Sequence, residues 1–153
     1  MKKLAVITGA SRGIGACLTQ ILAKNGIHVI AIARQEALLK KIQADNPDKI
    51  TIIAADLTQE EERAHVFEQL SSQPSIDYMV HNAGLITPIA PLITLSEKEI
   101  RQIIETNLMV PMLLTKALVP QMKKKSRILN VSSPFPVIML PQAWVLIVFL
   151  KRD

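Results

Sequence analysis

Glycines at positions 9, 13 and 15, with Ala10-Ser11-Arg12 inserted among them, follow directly on the apolar run 4–7. Four apolar residues are too few for a helix and suit a strand buried on both faces. From Ile14 onward the period changes. Ile14, Cys17, Leu18, Ile21 and Leu22 fall at i, i+3, i+4, i+7 and i+8, one stripe of a helix. A strand, a glycine turn and a helix present free backbone N–H groups and a positive helix end to a phosphate. Glycine serves where a side chain would hold a pyrophosphate away or forbid the dihedrals. Gly9, Ser11, Arg12, Gly13, Ile14 and Gly15 are therefore candidate nucleotide contacts. No Gly-Lys-Ser/Thr is present, which removes the P-loop reading, and a kinase-type glycine loop lacks its required setting here.

A second apolar run, 27–33, ends at Arg34, about twenty residues beyond the glycines. In a dinucleotide fold an acid at this place holds a ribose 2′-hydroxyl, whereas a basic residue pairs with a 2′-phosphate. Arg12, inside the turn, can join it. Both positions favour NADP over NAD. Polar residues also close the later apolar runs: Asp56-Leu57 after 50–55, His81-Asn82-Ala83-Gly84 after 76–80, and Ser132-Ser133 after 127–131. Asn107 falls on the inward side of a helix, where an amide must be satisfied or used.

The elements that must hold these groups alternate between strand and helix. Asn25-Gly26 caps the first helix, and a second spans about 35–44. Thr58 with Glu61 reads as a capping box opening a helix with Ala64, Phe67 and Leu70 inward. After a loop at 85–95 with Pro88 and Pro91, Ser96 with Glu99 opens another, lined by Ile100, Ile103, Ile104 and Leu108. Pro111 starts or kinks the next helix, which continues to Lys123-Lys124-Lys125, where cations complement a helix end. The alternation predicts an α/β fold, a doubly wound parallel sheet with right-handed crossovers. In such sheets ligand groups collect outside the carboxyl ends of the strands, and every candidate above falls there.

At 153 residues the chain is one domain by length. A hydrophobic share of 49% with 3% aromatic describes an aliphatic core. The net charge of +5 lacks the interleaved aromatics of a nucleic-acid face, so no nucleic-acid partner is expected. The single cysteine, Cys17, sits on the apolar stripe and reads as a small buried residue in a reducing, cytoplasmic compartment. His28, His65 and His81 have no metal-ligand spacing. Residues 1–3 lead straight into a strand, leaving no room for a signal peptide. Pro136 and Pro141 interrupt the one apolar stretch approaching membrane-span length, so no membrane is expected.

TGASRGIG at 8–15, DL at 56–57, HNAG at 81–84, Asn107 and ILNVSS at 128–133 together resemble the classical short-chain dehydrogenase/reductase family. The resemblance implies a Rossmann-like sheet and hydride transfer between a nicotinamide and a small carbonyl or alcohol. It implies that Gly9, Arg12, Gly13 and Ile14 contact the cofactor phosphates and ribose, and Asp56 and Leu57 the adenine. Asn82, Ala83 and Gly84 would border the adenine ribose. Ser133 would be the catalytic serine, and Asn107 would hold a proton-relay water. His81 replaces the family's commoner Asn, which puts a strand-linking hydrogen bond in question.

The family also needs a Tyr as general acid/base, with a Lys four residues on to depress its pKa. The one tyrosine of this chain, Tyr78, lies in the run 76–80, and Asn82 stands four residues beyond it. Beyond Ser133 the chain reads PFPVIMLPQAWVLIVFLKRD. Residues 144–153 back-translate, with permitted codons, to TGG GTG CTT ATT GTG TTT CTA AAG CGG GAT. From its third base that string gives Gly-Ala-Tyr-Cys-Val-Ser-Lys-Ala-Gly, restoring Tyr-x-x-x-Lys. The tyrosine codon begins within that of Leu146, about where the family places it. A frameshift soon after Ser133 is the resulting hypothesis, with 1–133 a nucleotide-binding domain and 134–153 an aberrant apolar tail. The resemblance then implies five strands of the usual seven and a compromised oligomer interface. It also implies an NADP-dependent reductase scaffold that does not turn over, the alternative being a non-catalytic nucleotide-binding or interaction fragment. The run 145–150, without proline or charge, is expected to aggregate or to pair along the open edge of the fifth strand.

Overall fold

In the computed structural model, residues 3–86, 88, 90–131 and 147–150 are described. The chain runs β1 (Leu4–Thr8), α1 (Gly13–Lys24), β2 (His28–Ala33), α2 (Glu36–Ala44), β3 (Ile50–Ala54), α3 (Glu60–Ser71) and β4 (Ile76–His81). It continues through α4 (Glu97–Ile104), α5 (Val110–Leu118), β5 (Met122–Val131) and β6 (Ile147–Leu150). The strands lie in the order β3-β2-β1-β4-β5-β6. β1 to β5 pair in parallel, as the alternation predicts. The chain winds outward from β1 to β3, then returns to place β4 on the other side of β1. This reversal opens a crevice at the carboxyl edge between β1 and β4.

Both faces of the sheet are covered, so strand residues alternate between two cores. Leu4, Val6, Ile30 and Ile32 pack with Val66, Leu70, Val110, Leu114 and Leu118 of α3 and α5. Ala5, Ile7, Val29 and Ala31 pack on the face carrying α1 and α2, with Leu39 and Ile42. Ala5, Val6 and Ile7 are fully buried, which explains why β1 reads as a continuous apolar run. Burying such a Val or Ile side chain contributes about 1.5–3 kcal/mol each.

Several sequence expectations are corrected. α1 turns only part of its apolar stripe inward: Leu18 and Leu22 pack against the core, but Ile14 is 65% and Ile21 49% exposed, and Cys17 is exposed rather than buried. Its buried residues are the small ones, Gly15, Thr19 and Ala23, where the helix lies closest to the sheet, and Leu18 and Leu22 pack half-buried beside them. α3 starts at Glu60 without a side-chain cap, since Thr58 bonds Asp56 instead. Val66 and Leu70 are its buried residues and Phe67 packs beside them, while Ala64 is exposed. The Ser96–Glu99 capping box is present in full.

Between α4 and α5 the helix widens into a π-turn over Glu105–Met109. Pro111 has no N–H to return to the carbonyl of Asn107, four residues back, so α-type pairing fails there. The extra residue rotates the helix out of its earlier register, and Leu108 is exposed although Ile103 is buried. The continuous helical stretch Glu97–Gln121 is long and apolar enough to cross a membrane by length and composition, at mean hydropathy 1.3. That amends the expectation that proline interrupts the one candidate. Its inward residues Ile103, Val110, Leu114 and Leu118 are buried within the domain.

The lysine run lies in β5, not at a helix end, because α5 stops at Leu118 and the strand begins at Met122. The sheet has a sixth strand where five are expected. β6 runs antiparallel to β5, with Ile128 opposite Leu150 and Val131 opposite Ile147. This segment belongs to the run 145–150, so its backbone occupies the edge of β5 that would otherwise stand open.

Candidate functional site

The site forms where the loops after β1, β2, β3 and β4 meet. β1 ends at Thr8, whose hydroxyl accepts from the backbone N–H of both Asn82 and Ala83 at 3.0 Å. Asn82 answers by donating from Nδ2 to the carbonyls of Thr8 at 3.2 Å and Gly9 at 3.0 Å. The two loops are thereby locked across the switch point.

Glycine is obligatory at two places in this lock. Gly9 has φ +64°, and a Cβ there would come within 2.8 Å of the Ala83 backbone. A Cβ on Gly15 would lie 2.4 Å from both the Gly9 carbonyl oxygen and Asn82 Nδ2. Gly13 differs: its φ of +54° favours glycine, yet nothing lies within 4 Å. α1 opens behind this turn without a side-chain cap and without an acid in its first turn. Its first N–H groups therefore face the crevice with the helix's positive end, the arrangement that suits a phosphate.

A cavity of about 460 Å³ occupies the crevice. Gly9, Ser11, Arg12 and Ile14 line it from the first loop, and Arg34 from the end of β2. Asp56 and Leu57 contribute from the third loop, and Asn82, Ala83 and Gly84 from the fourth. These ten sequence candidates thus share one wall-to-wall space. Gly13 and Gly15 shape the turn without lining it. Asn107 stands outside it and clamps the loop after β4: Leu85 N–H donates to Asn107 Oδ1 at 2.7 Å, and Asn107 Nδ2 donates to the Leu85 carbonyl at 2.8 Å. These two bonds make the side chain a clamp on that loop, with one N–H of Nδ2 and one lone pair of Oδ1 left over. Ser133 and its neighbour Ser132 lie outside the described residues.

Asp56 Oδ1 accepts from the N–H and hydroxyl of Thr58 at 3.0 and 2.7 Å, while Oδ2 has no partner among the described residues. Arg63, nearly buried, donates to the Leu57 carbonyl at 2.7 Å and reaches Glu105 at 3.5 Å, tying this wall to the π-turn. His81 is buried, and its Nε2 lies 2.8 Å from Thr115 Oγ1 on α5. The bond therefore links strand to helix, not strand to strand. Burial lowers the imidazole's pKa to about 4, so it is neutral near pH 7. Tyr78 is half-buried and meets Lys3 Nζ at 3.1 Å, but at the amino-terminal edge of the sheet, opposite the cavity.

Thr8, Asn82 as a clamp, and Arg63 escape a reading of the sequence. A polar residue ending a buried strand is the one available signal for Thr8. The partners of Arg63 are distant in sequence and leave none.

A doubly wound α/β sheet with a glycine turn at its switch point defines a protein of the Rossmann fold class. The model of the short chain dehydrogenase family matches residues 3–143, and the chain belongs to that family. Its members are oxidoreductases that use nicotinamide cofactors and act on small molecules. The chain is 33% identical over 129 residues to farnesol dehydrogenase of Aedes aegypti, covering 81% of this chain and 53% of that protein. Among solved structures it is similar to a short-chain dehydrogenase from Streptomyces avermitilis (TM-score 0.81, 32% identity, 87% of this chain and 50% of that one). It is also similar to a metagenomic short-chain oxidoreductase in complex with NADP (TM-score 0.79, 33% identity, 86% and 62%). The chain spans about half the length of the curated relatives it matches.

Proposed function

We propose that this chain is an NADP-binding member of the family that holds the cofactor without turning over a substrate. The observation that carries the reading is the pairing of Arg12 and Arg34 on one cavity with the glycine turn, neither arginine having an acidic partner among the described residues. The residues fit the group: a close-approach glycine turn and an uncapped helix end suit the pyrophosphate, and the two cations suit a 2′-phosphate. Asp56 Oδ2 and the Leu57 backbone would receive the adenine, and Asn82 to Gly84 its ribose. Bound NADPH would supply the hydride.

The reaction also needs a proton at the substrate oxygen. Within these 153 residues the single tyrosine is at the opposite edge of the sheet, paired with Lys3. Ser133 and Asn107, in the roles the family gives them, would then lack their acid partner. Loss of one cooperating catalytic group removes most of the rate by itself. The hypothesis of a shifted reading frame after Ser133 accounts for the missing pair. It makes 1–133 the nucleotide-binding domain and 134–153 the tail, in a cytoplasmic protein descended from a carbonyl or alcohol reductase.

The test is a titration of the purified chain with NADPH and NADH by cofactor fluorescence, alongside carbonyl-dependent NADPH oxidation. Tight NADPH binding without oxidation supports the reading. Steady oxidation overturns the inactivity, and no preference for NADPH overturns the cofactor assignment. The coding DNA tests the frameshift separately: codons that give no Tyr and Lys in the shifted frame remove it.

A further inference from the structure

Gln35 is the N-cap residue of α2, yet its side chain makes no capping bond to that helix. Its carboxamide oxygen accepts instead from Arg12 Nη2, across the mouth of the cavity. The bond joins the glycine turn after β1 to the end of β2, where Arg34 is the adjacent residue. The carboxylate next along, Glu36, is taken by Lys40 at 2.8 Å. The first N–H groups of α2 are left without a side-chain cap beside the two arginines.

From this geometry we infer that Gln35 is a positioning residue that sets cofactor specificity. It aims the Arg12 guanidinium across from Arg34, so that the cleft selects a phosphomonoester on the nucleotide's ribose over a bare hydroxyl. The inference rests on the nucleotide reading above and deepens it. An amide oxygen suits the task because it orients a guanidinium without cancelling its charge. One of the five N–H donors goes to Gln35, and the rest remain for an anion. A carboxylate at 35 would pair with Arg12, neutralise it and repel a phosphate. Ordering a long side chain beforehand removes part of the entropic penalty at binding, so loss of the tether weakens the phosphate contact without abolishing it.

The experiment measures the dissociation constants of NADPH and NADH by fluorescence for the full chain and for Gln35→Ala and Gln35→Glu. Gln35→Ala is expected to weaken NADPH roughly 3- to 10-fold and NADH by less than about twofold. Gln35→Glu is expected to erase or reverse the preference. If Gln35→Ala leaves the NADPH/NADH ratio unchanged, or weakens both cofactors equally, the positioning role is wrong although the cofactor assignment stands. If the unaltered chain shows no preference, the cofactor assignment itself fails and the inference falls with it.

Discussion

Replacing Gly15 by alanine puts the added methyl 2.4 Å from the Gly9 carbonyl oxygen and from Asn82 Nδ2, about 1 Å short of ordinary contact. Neither neighbour is the end of a flexible side chain free to leave. Gly9 is backbone, and Asn82 Nδ2 is held by the carbonyls of Thr8 and Gly9. Overpacking of this kind costs about 1–3 kcal/mol, and the two Asn82 bonds contribute about 1 kcal/mol each. Alanine's better helix propensity offsets about 1 kcal/mol, leaving a net loss of about 2–4 kcal/mol. Gly13→Ala is the matched control, since nothing lies within 4 Å of its Cβ and backbone strain at φ +54° is the whole penalty, about 1–2 kcal/mol. Urea unfolding followed by circular dichroism separates the two. With a slope of about 1–2 kcal/mol per molar, Gly13→Ala should lower the midpoint by about 1 M and Gly15→Ala by about twice that. NADPH binding to the folded fraction should fall further in the Gly15 variant, because the lock between the two loops is what breaks. Equal midpoints for the two variants, or a more damaged Gly13 variant, would refute the close-approach argument.

His81 is held neutral by burial with a pKa of about 4, below its ordinary 6.5, so the unfolded chain binds the extra proton between those values. Stability is therefore complete above about pH 6.5 and falls as the pH drops towards 4, by about 2 kcal/mol at pH 5. Urea midpoints at pH 7.5 and 5 should show that fall, and His81→Asn should flatten it. Asn107→Ala removes both bonds to Leu85 and leaves two half-buried backbone groups without that partner, so a loss of about 1–2 kcal/mol and weaker NADPH binding are expected in the same titrations. Arg34→Glu places an acid where a 2′-hydroxyl would be held, and NADH should then bind more tightly than NADPH.

Strand positions and the cleft residues are legible because buried parallel strands read as unbroken apolar runs and because polar residues gather at their carboxyl ends. The first helix misleads because periodicity reports which residues are large and apolar, not how near the sheet the helix lies. Where the approach is close, Gly15, Thr19 and Ala23 take the inner face, Leu18 and Leu22 flank it, and Ile14, Cys17 and Ile21 turn out. The extent of β5 and the lysines in it escape for a related reason: charged residues on a strand look like a helix end until the pairing with β4 is seen. The role of Asn107 is half legible. Its need for partners is plain from its setting, but the partner is a backbone segment 22 residues away, fixed by a π-turn that Pro111 induces.

The small inner face of α1 also determines how the molecule answers to changes far from the cleft. Gly15, Thr19 and Ala23 recur every fourth residue, so the helix meets the sheet most closely along a narrow keel, flanked by Leu18 and Leu22. Ala23 lies about 12 Å along the axis from Gly15. A larger side chain there would raise the far end while the near end stayed pinned, tilting the rod by only a few degrees for each ångström of lift. Bulk at Thr19 would act on a shorter arm and swing the anion-facing end further, so damage to nucleotide binding should grow steadily as substitutions move along the keel towards the glycine turn.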